Sequence, residues 1–230
     1  MNPITNFVTS VSTRSREKRA SILQKHFLIN KDTKILDLGS ENGANINRVL
    51  YGTEANSKNV YIADINPENL NEGQKRFGYK PVPVAESGVL PFQNDFFDIV
   101  FCSSVIEHVT IPKIKVWKSF SENRFKKESF QRQKEFAKEI KRVGKQYFVQ
   151  TPYKYFPIES HTWLPLIGIL PRWLLIPILY CTNFVWVKRT KPDWHLLNKR
   201  QMKQLFPDAQ IIEEKMLGLT KSIMAVHRSF

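Results

Sequence analysis

The stretch Lys34 to Asn47, KILDLGSENGANIN, constrains the fold of this chain more than any other. A short apolar run, Ile35-Leu36, leads through Asp37 and Leu38 to Gly39. A second glycine, Gly43, then precedes an amphipathic segment carrying Ile46, Val49 and Leu50. That order describes a buried strand, a tight turn and a helix, the unit at which parallel α/β sheets hold nucleotide-like ligands. Glycine belongs in such a turn because a Cβ would keep the backbone away from the ligand. At 230 residues the chain can extend the unit into one α/β domain with a full hydrophobic core.

The pattern continues downstream. Residues 14–27 read as a basic leading helix with Ala20, Ile22, Leu23 and Phe27 on its apolar face. Residues 59–63 form a second strand ending at Asp64-Ile65, and Asn66-Pro67 supply an N-cap and first-turn proline for a helix reaching Phe77. A third strand is expected over 81–85, ending at Glu86, and a fourth over 97–102, followed by a helical turn within SSVIEHV. Residues 125–143 space Phe130, Phe136, Ala137, Ile140 and Val143 as a helix with a basic outer face, ended by Gly144. Residues 147–150 make a fifth strand. Asn198 and Gln201 cap a helix ending before Pro207, and residues 209–215 and 222–226 close the sheet around the turn 217–220. The fold expected is a Rossmann-like, seven-stranded, mostly parallel sheet with helices on both faces and a closing antiparallel hairpin, as one domain over 1–230.

Residues 153–194 interrupt the βα rhythm. WLPLIGILPRWLLIPILYCTNFVWV, 163–187, holds one charge, Arg172, in 25 residues. Its length suits a membrane span, but Pro165, Pro171 and Pro177 argue against one continuous helix. The expectation is two short apolar helices forming a lid or lying at a membrane surface, with Trp163, Trp173, Trp186, Lys188 and Arg189 as interfacial anchors. Burial against the main sheet is the alternative.

Charge is unevenly spread. Residues 1–100 carry 12 Lys and Arg against 11 Asp and Glu, whereas residues 101–230 carry 23 against 10, a net +13. The second part is suited to an anionic partner, or reflects a Lys-rich composition. Cys102 and Cys181 sit in apolar surroundings with neither disulfide nor metal spacing, and read as reduced core residues of a cytoplasmic protein. The N-terminus lacks the basic and apolar regions of a signal peptide.

Acidic groups stand at successive strand ends: Asp37 with Gly39, then Asp64, then Glu86, followed by Ser103. A carboxylate ending the second strand can accept from both hydroxyls of a ribose. Without a Walker lysine or GKS/T sequence, a triphosphate ligand is not expected. ILDLGSENG (35–43), Asp64, ESGVLPF (86–92) and FDIVFCSSVIEHV (97–109) together resemble class I S-adenosylmethionine-dependent methyltransferases of the type 11 group. QTPYKYFPIESHTWLP (150–165) and LFPDAQIIEEKMLGLTKSIMAV (205–226) are similar to members found with polysaccharide biosynthesis.

By that resemblance S-adenosylmethionine is the cofactor. Asp37, Gly39 and Gly43 surround its methionine part, Asp64 binds the ribose, Ile65 packs on the adenine, Glu86 caps the adenine amino group, and Ser103 sits beside the sulfonium. The family's DxGxGxG pattern places glycine where this chain has Glu41, whose side chain must point away from the cofactor or weaken its binding. His108 is the candidate general base for an acceptor hydroxyl, with Glu107 orienting it; the alternative is that both cap a helical turn and pack structurally. Related quinone O-methyltransferases hold a metal with an ExxEH set, but Ser104 stands at its first position here, so no metal is expected. His161, beside Glu159, is a further candidate for substrate contact. His26, His195 and His227 read as structural.

The function expected is O-methylation of a sugar or lipid-linked acceptor, with possible membrane-surface contact through 163–189 at the inner membrane face. An RNA methyltransferase would explain the basic half, but no aromatic-interleaved basic module is present. A non-catalytic binding protein that lost cofactor affinity through Glu41 is the reading from another class.

Overall fold

The computed structural model describes residues 3–86, 88–186 and 188–229, with side chains from residue 13 onward. Ser87 and Val187, which fall inside the ESGVLPF and apolar stretches, lie outside the described residues. Seven strands form one sheet: β1 Ile35–Leu38, β2 Val60–Asp64, β3 Lys80–Pro83, β4 Phe97–Ser103, β5 Gly144–Pro152, β6 Gln210–Met216 and β7 Leu219–His227. Their order is β3-β2-β1-β4-β5-β7-β6, with an antiparallel β6/β7 hairpin. β1 runs parallel to β2, pairing Asp37 with Ile62, and parallel to β4, pairing Asp37 with Phe101. Both neighbours bury β1 at all four positions, which is why its sequence is a continuous apolar run broken only by Asp37.

The helices are α1 Pro3–His26, α2 Ala44–Val49, α3 Pro67–Phe77, α4 Glu122–Val143, α5 Arg172–Val185 and α6 Lys199–Leu205. The expected caps are present: the Asn66 side chain accepts from the Glu68 N–H, and Asn198 and Gln201 form a reciprocal capping box. α1 begins well before the predicted residue 14. β3 is shorter than expected, because two prolines remove ladder donors and the Gly88 N–H turns back to the Ala85 carbonyl. The closing turn is also tighter than 217–220. Leu217 and Gly218 alone adopt φ of 50° and 80°, the signature of a two-residue hairpin loop whose twist matches the strands.

The chain forms two compact units. The first comprises Met1–Ser103, Lys141–Phe148 and Val226–Phe230; the second comprises Ser104–Ile140 and Val149–Ala225. The core of the first is built on Leu36, Ile62, Phe97, Val100 and stacked Phe101 and Phe148, with Leu23 of α1 also buried. The second buries Ile167, Leu175, Leu179, Trp194 and Leu196 together, and Ile111, Val116 and Phe125 as another group.

The apolar stretch departs from the two predicted helices. Its first part is only a 3-10 turn, Ile167–Ile169, and its second is the single 14-residue α5, which contains Pro177. Pro177 is exposed, so the hydrogen bond it deletes, to the Trp173 carbonyl, lies on a face where water can replace it. Arg172, the one charge of the stretch, is 2% exposed. It donates to the carbonyls of Ser119 (2.6 Å), Pro192 (2.9 Å) and Val116 (2.5 Å) and lies 3.6 Å over the Phe125 ring. Burial lowers its pKa to about 10, leaving it charged at neutral pH. Two predicted anchors are committed inward: the Trp186 indole donates to the Thr162 carbonyl, and Lys188 donates to the Ser160 carbonyl. Cys181, expected in the core, is exposed on α5; Cys102 is buried. Among the described residues no helix is long and apolar enough to cross a membrane.

Candidate active site

In the first unit, β2 and β3 lie on one side of β1 and β4 lies on the other. Open α/β sheets bind ligands outside the carboxyl strand ends at such a switch in strand order. The structure places Asp37, Gly39, Asp64 and Ser103 at those ends. Asp37 is 2% exposed, and its Oδ2 has no hydrogen-bond partner. Burial first, then the charges of Asp64 and Glu41, push its pKa well above the usual carboxylate range. A buried carboxylate with an unfilled acceptor position favours a cationic donor.

The turn after β1 is tied across to β2. Gly39, at φ 76°, and Ser40 both donate their N–H to the Ala63 carbonyl, at 2.7 and 3.2 Å. Asp64 accepts the Glu41 N–H at Oδ2 and the Asn66 N–H at Oδ1, each at 2.9 Å. Each carboxylate oxygen has two lone pairs, so both keep one acceptor direction for ribose hydroxyls. Ile65, the next residue, is 49% exposed. Glu41 is exposed, and its φ of 52° explains in backbone terms why glycine is favoured there. Glu86 lies in the exposed turn beyond β3 rather than at the strand end.

Two residues escaped the sequence reading. Arg19, taken only as part of a basic helix, donates from Nη1 to Ser103 Oγ at 3.1 Å, bringing a cation to the β4 tip. α1 is fastened beside α2 by Gln24, whose amide donates to the Val49 and Tyr51 carbonyls. No spacing rule links position 19 to 103. Gly73 had a signal, a glycine inside a helical pattern. A Cβ there would come within 2.5 Å of Ile62 Cδ1 and 2.7 Å of the Asn42 carbonyl, so its absence lets α3 press against the ligand-facing turn.

The second unit brings together the three predicted catalytic residues. Glu107 and His108 lie in a 3-10 turn, Ile106–His108, that follows β4. Glu107 is fully buried; its Oε2 accepts from the Thr151 hydroxyl at 3.0 Å, and its carbonyl accepts the His195 N–H at 2.7 Å. His108 Nδ1 contacts Asp193 Oδ1 at 3.3 Å. Burial opposes the charged imidazole, but the Asp193 hydrogen bond and the charges of Glu107 and Asp193 outweigh it and raise the His108 pKa. His161 lies against Asp193's neighbour Trp194, ring on ring at 5.1 Å, and edge-on to His108 at 4.6 Å. Its Nδ1 is 2.5 Å from Glu159 Oε1. Burial would raise the Glu159 pKa, but the His161 charge and the hydrogen bonds from His161 and Thr162 hold it down to about 2.

His195 is structural, as expected: its Nδ1 meets Gln133 Oε1 at 2.9 Å, and burial with the nearby Lys154 and Lys126 charges lowers its pKa to about 4. His26 bonds the Ile22 carbonyl, and His227 stacks on Tyr147.

Residues 36–147 match the Methyltransferase domain family, Methyltransf_11. No curated protein matches the chain by sequence. Solved structures similar to it include magnesium protoporphyrin IX methyltransferase from Synechocystis PCC 6803 with bound S-adenosylhomocysteine. That similarity has a TM-score of 0.55 at 11% identity, covering 99% of this chain and 89% of that one. An S-adenosylmethionine-dependent methyltransferase from Clostridium acetobutylicum ATCC 824 gives a TM-score of 0.55 at 11% identity, covering 98% of each chain. PH0226 protein from Pyrococcus horikoshii OT3 gives 0.54 at 16% identity, covering 93% and 89%. The first unit suits the cofactor: Asp37 offers an unfilled buried acceptor to an ammonium, and Asp64 offers free acceptor directions to a ribose. With the domain match and the sheet order in agreement, the chain carries a class I S-adenosylmethionine-dependent methyltransferase domain and is an S-adenosylmethionine-dependent methyltransferase.

Proposed function

We propose that this enzyme methylates a hydroxyl oxygen of an amphiphilic, anionic acceptor, a lipid-linked sugar of the kind used in polysaccharide assembly, at the cytoplasmic face of a membrane. The observation that carries the acceptor class is the outer face of α5. Trp173, Tyr180, Phe184 and Val185 are 63%, 63%, 70% and 84% exposed, and Trp173, Pro177, Tyr180 and Phe184 recur at one helical stripe. Scattered exposed apolar residues are ordinary, whereas a contiguous stripe suits an interfacial helix. The +13 balance of residues 101–230 suits anionic headgroups, each cation near such a surface contributing about 1 kcal/mol.

In this reading Asp37 takes the cofactor's ammonium, Arg19 takes its carboxylate, and Ser103 sits beside the sulfonium. Asp64 holds the ribose, Ile65 supports the adenine and Glu86 meets its amino group. The bound cofactor supplies an electrophilic methyl on a sulfonium. The chain then has to hold an acceptor oxygen in line and accept its proton, and Glu107, His108 and His161 are the groups suited to the proton.

The test is flotation with vesicles of phosphatidylethanolamine and phosphatidylglycerol. The parent protein should float, and a Trp173→Ser, Phe184→Ser double variant should not, while binding S-adenosylhomocysteine equally well. A parent protein that stays off the vesicles and methylates soluble sugars would overturn the acceptor assignment.

A further inference from the structure

We propose that Glu107, His108 and His161 form a site for one divalent transition-metal ion. A Glu107 carboxylate oxygen and one ring nitrogen from each histidine lie within 4.8 Å of one another. Glu107 supplies the strongest argument. It is 0% exposed, its Oε2 is used by Thr151, and its Oε1 accepts no hydrogen bond. That oxygen faces His161 Nε2 at 3.9 Å, too long for a hydrogen bond and suited to two ligands of one ion. A buried carboxylate oxygen left unpaired is costly, and a cation between the two atoms removes the cost.

The surroundings point the same way. Asp193 holds Nδ1 of His108, and Glu159 holds Nδ1 of His161. A carboxylate on the far nitrogen fixes the tautomer, leaves the Nε2 lone pair outward and raises its basicity, as second-shell partners do at metal sites. Glu159 is itself fixed by the backbone N–H groups of His161 and Thr162, and Trp194 and His108 pin the His161 ring on face and edge. Three carboxylates, Glu107, Glu159 and Asp193, thus surround two imidazoles, and Lys188 is engaged with the Ser160 carbonyl. The sequence expectation of no metal turned on Ser104. Its hydroxyl donates to Gln150 Oε1 instead, and the third ligand comes from His161.

Two imidazoles and one carboxylate with open positions match Zn²⁺, Mn²⁺, Fe²⁺ or Co²⁺ better than the oxygen-seeking Mg²⁺ or Ca²⁺. Ligands about 2.1 Å from a tetrahedral ion stand about 3.4 Å apart, so the side chains would close inward by about 1 Å. The ion's catalytic role rests on the acceptor reading. With the ion bound, Glu107, His108 and His161 are ligands and no longer proton acceptors; an acceptor hydroxyl polarised at an open position would lose its proton to solvent instead.

The test uses tag-free, chelator-stripped protein in a Cys181→Ser background, which removes the exposed thiol. Zn²⁺ titration by calorimetry and Co²⁺ titration by visible absorption should both show one equivalent bound at micromolar affinity or tighter. Mg²⁺ should not compete. The shape-conserving Glu107→Gln, and separately His161→Ala, should weaken binding at least tenfold while leaving S-adenosylhomocysteine affinity unchanged. No stoichiometric ion, or affinity unaffected by both variants, would overturn the site. Neither readout needs an acceptor, so a failed acceptor assignment and a failed metal site give different results.

Discussion

Asp37→Asn should stabilise the cofactor-free protein and weaken its hold on the cofactor. The side chain keeps its shape but loses its charge. In the parent, that charge is buried at 2% exposure, with Oδ2 unpartnered and Asp64 and Glu41 as like-charged neighbours. A buried group lacking its partner costs about 1–3 kcal/mol. For a chain this size relief of that cost raises Tm by roughly 2–10 °C. The pH dependence follows from the raised pKa. Above the unfolded carboxyl's pKa of about 3.9, the native state binds more protons than the unfolded state. The stability from this group is therefore complete below about pH 4 and lost as pH rises through the folded pKa. The advantage of Asp37→Asn should be absent in acid and grow with pH to a plateau. Losing a charge-assisted bond of about 1.5–3 kcal/mol to the ammonium should raise the Kd for S-adenosylhomocysteine roughly 10- to 100-fold. Thermal melts from pH 4 to 9 and calorimetry with S-adenosylhomocysteine measure both effects. A variant melting below its parent at pH 8, or binding the ligand equally well, would refute the reasoning.

Other expected outcomes concern single residues. Glu41→Gly should stabilise the fold by about 1 kcal/mol, since φ is 52° there. It should also shrink the Asp37→Asn advantage, and an unchanged melt in both backgrounds would count against the strain. Arg172→Met should cost at least about 3 kcal/mol in urea unfolding, because two buried carbonyls and the half-buried Ser119 carbonyl lose their donor; a loss under 1 kcal/mol would show that water replaces the guanidinium. His195, held at a pKa of about 4, is neutral when folded and charges first when unfolded. Its stability contribution should be present above about pH 6.5 and fall as pH drops toward 4, by roughly 3 kcal/mol. A His195→Gln protein should lack that slope between pH 4 and 6.5.

What the sequence alone determined is whatever depends on neighbours along the chain. The buried run before Gly39, the Asn66-Pro67 start of α3 and the Asn198–Gln201 box are local chemistry, and the α/β fold followed from their alternation. The acidic residues near the ends of β1 and β2 were legible for the same reason, since a strand end is a position in sequence as well as in space. Tertiary structure decided the rest. Arg19 meets Ser103 across 84 residues, and Glu107 meets His161 across 54, separations at which no periodicity survives. The prolines argued against one continuous helix over 163–187, yet α5 runs through Pro177 because the lost bond faces outward, and only packing decides which face that is. Asp37 had a predictable place; its upward pKa shift comes first from the burial that folding imposes on it and then from the Asp64 and Glu41 charges.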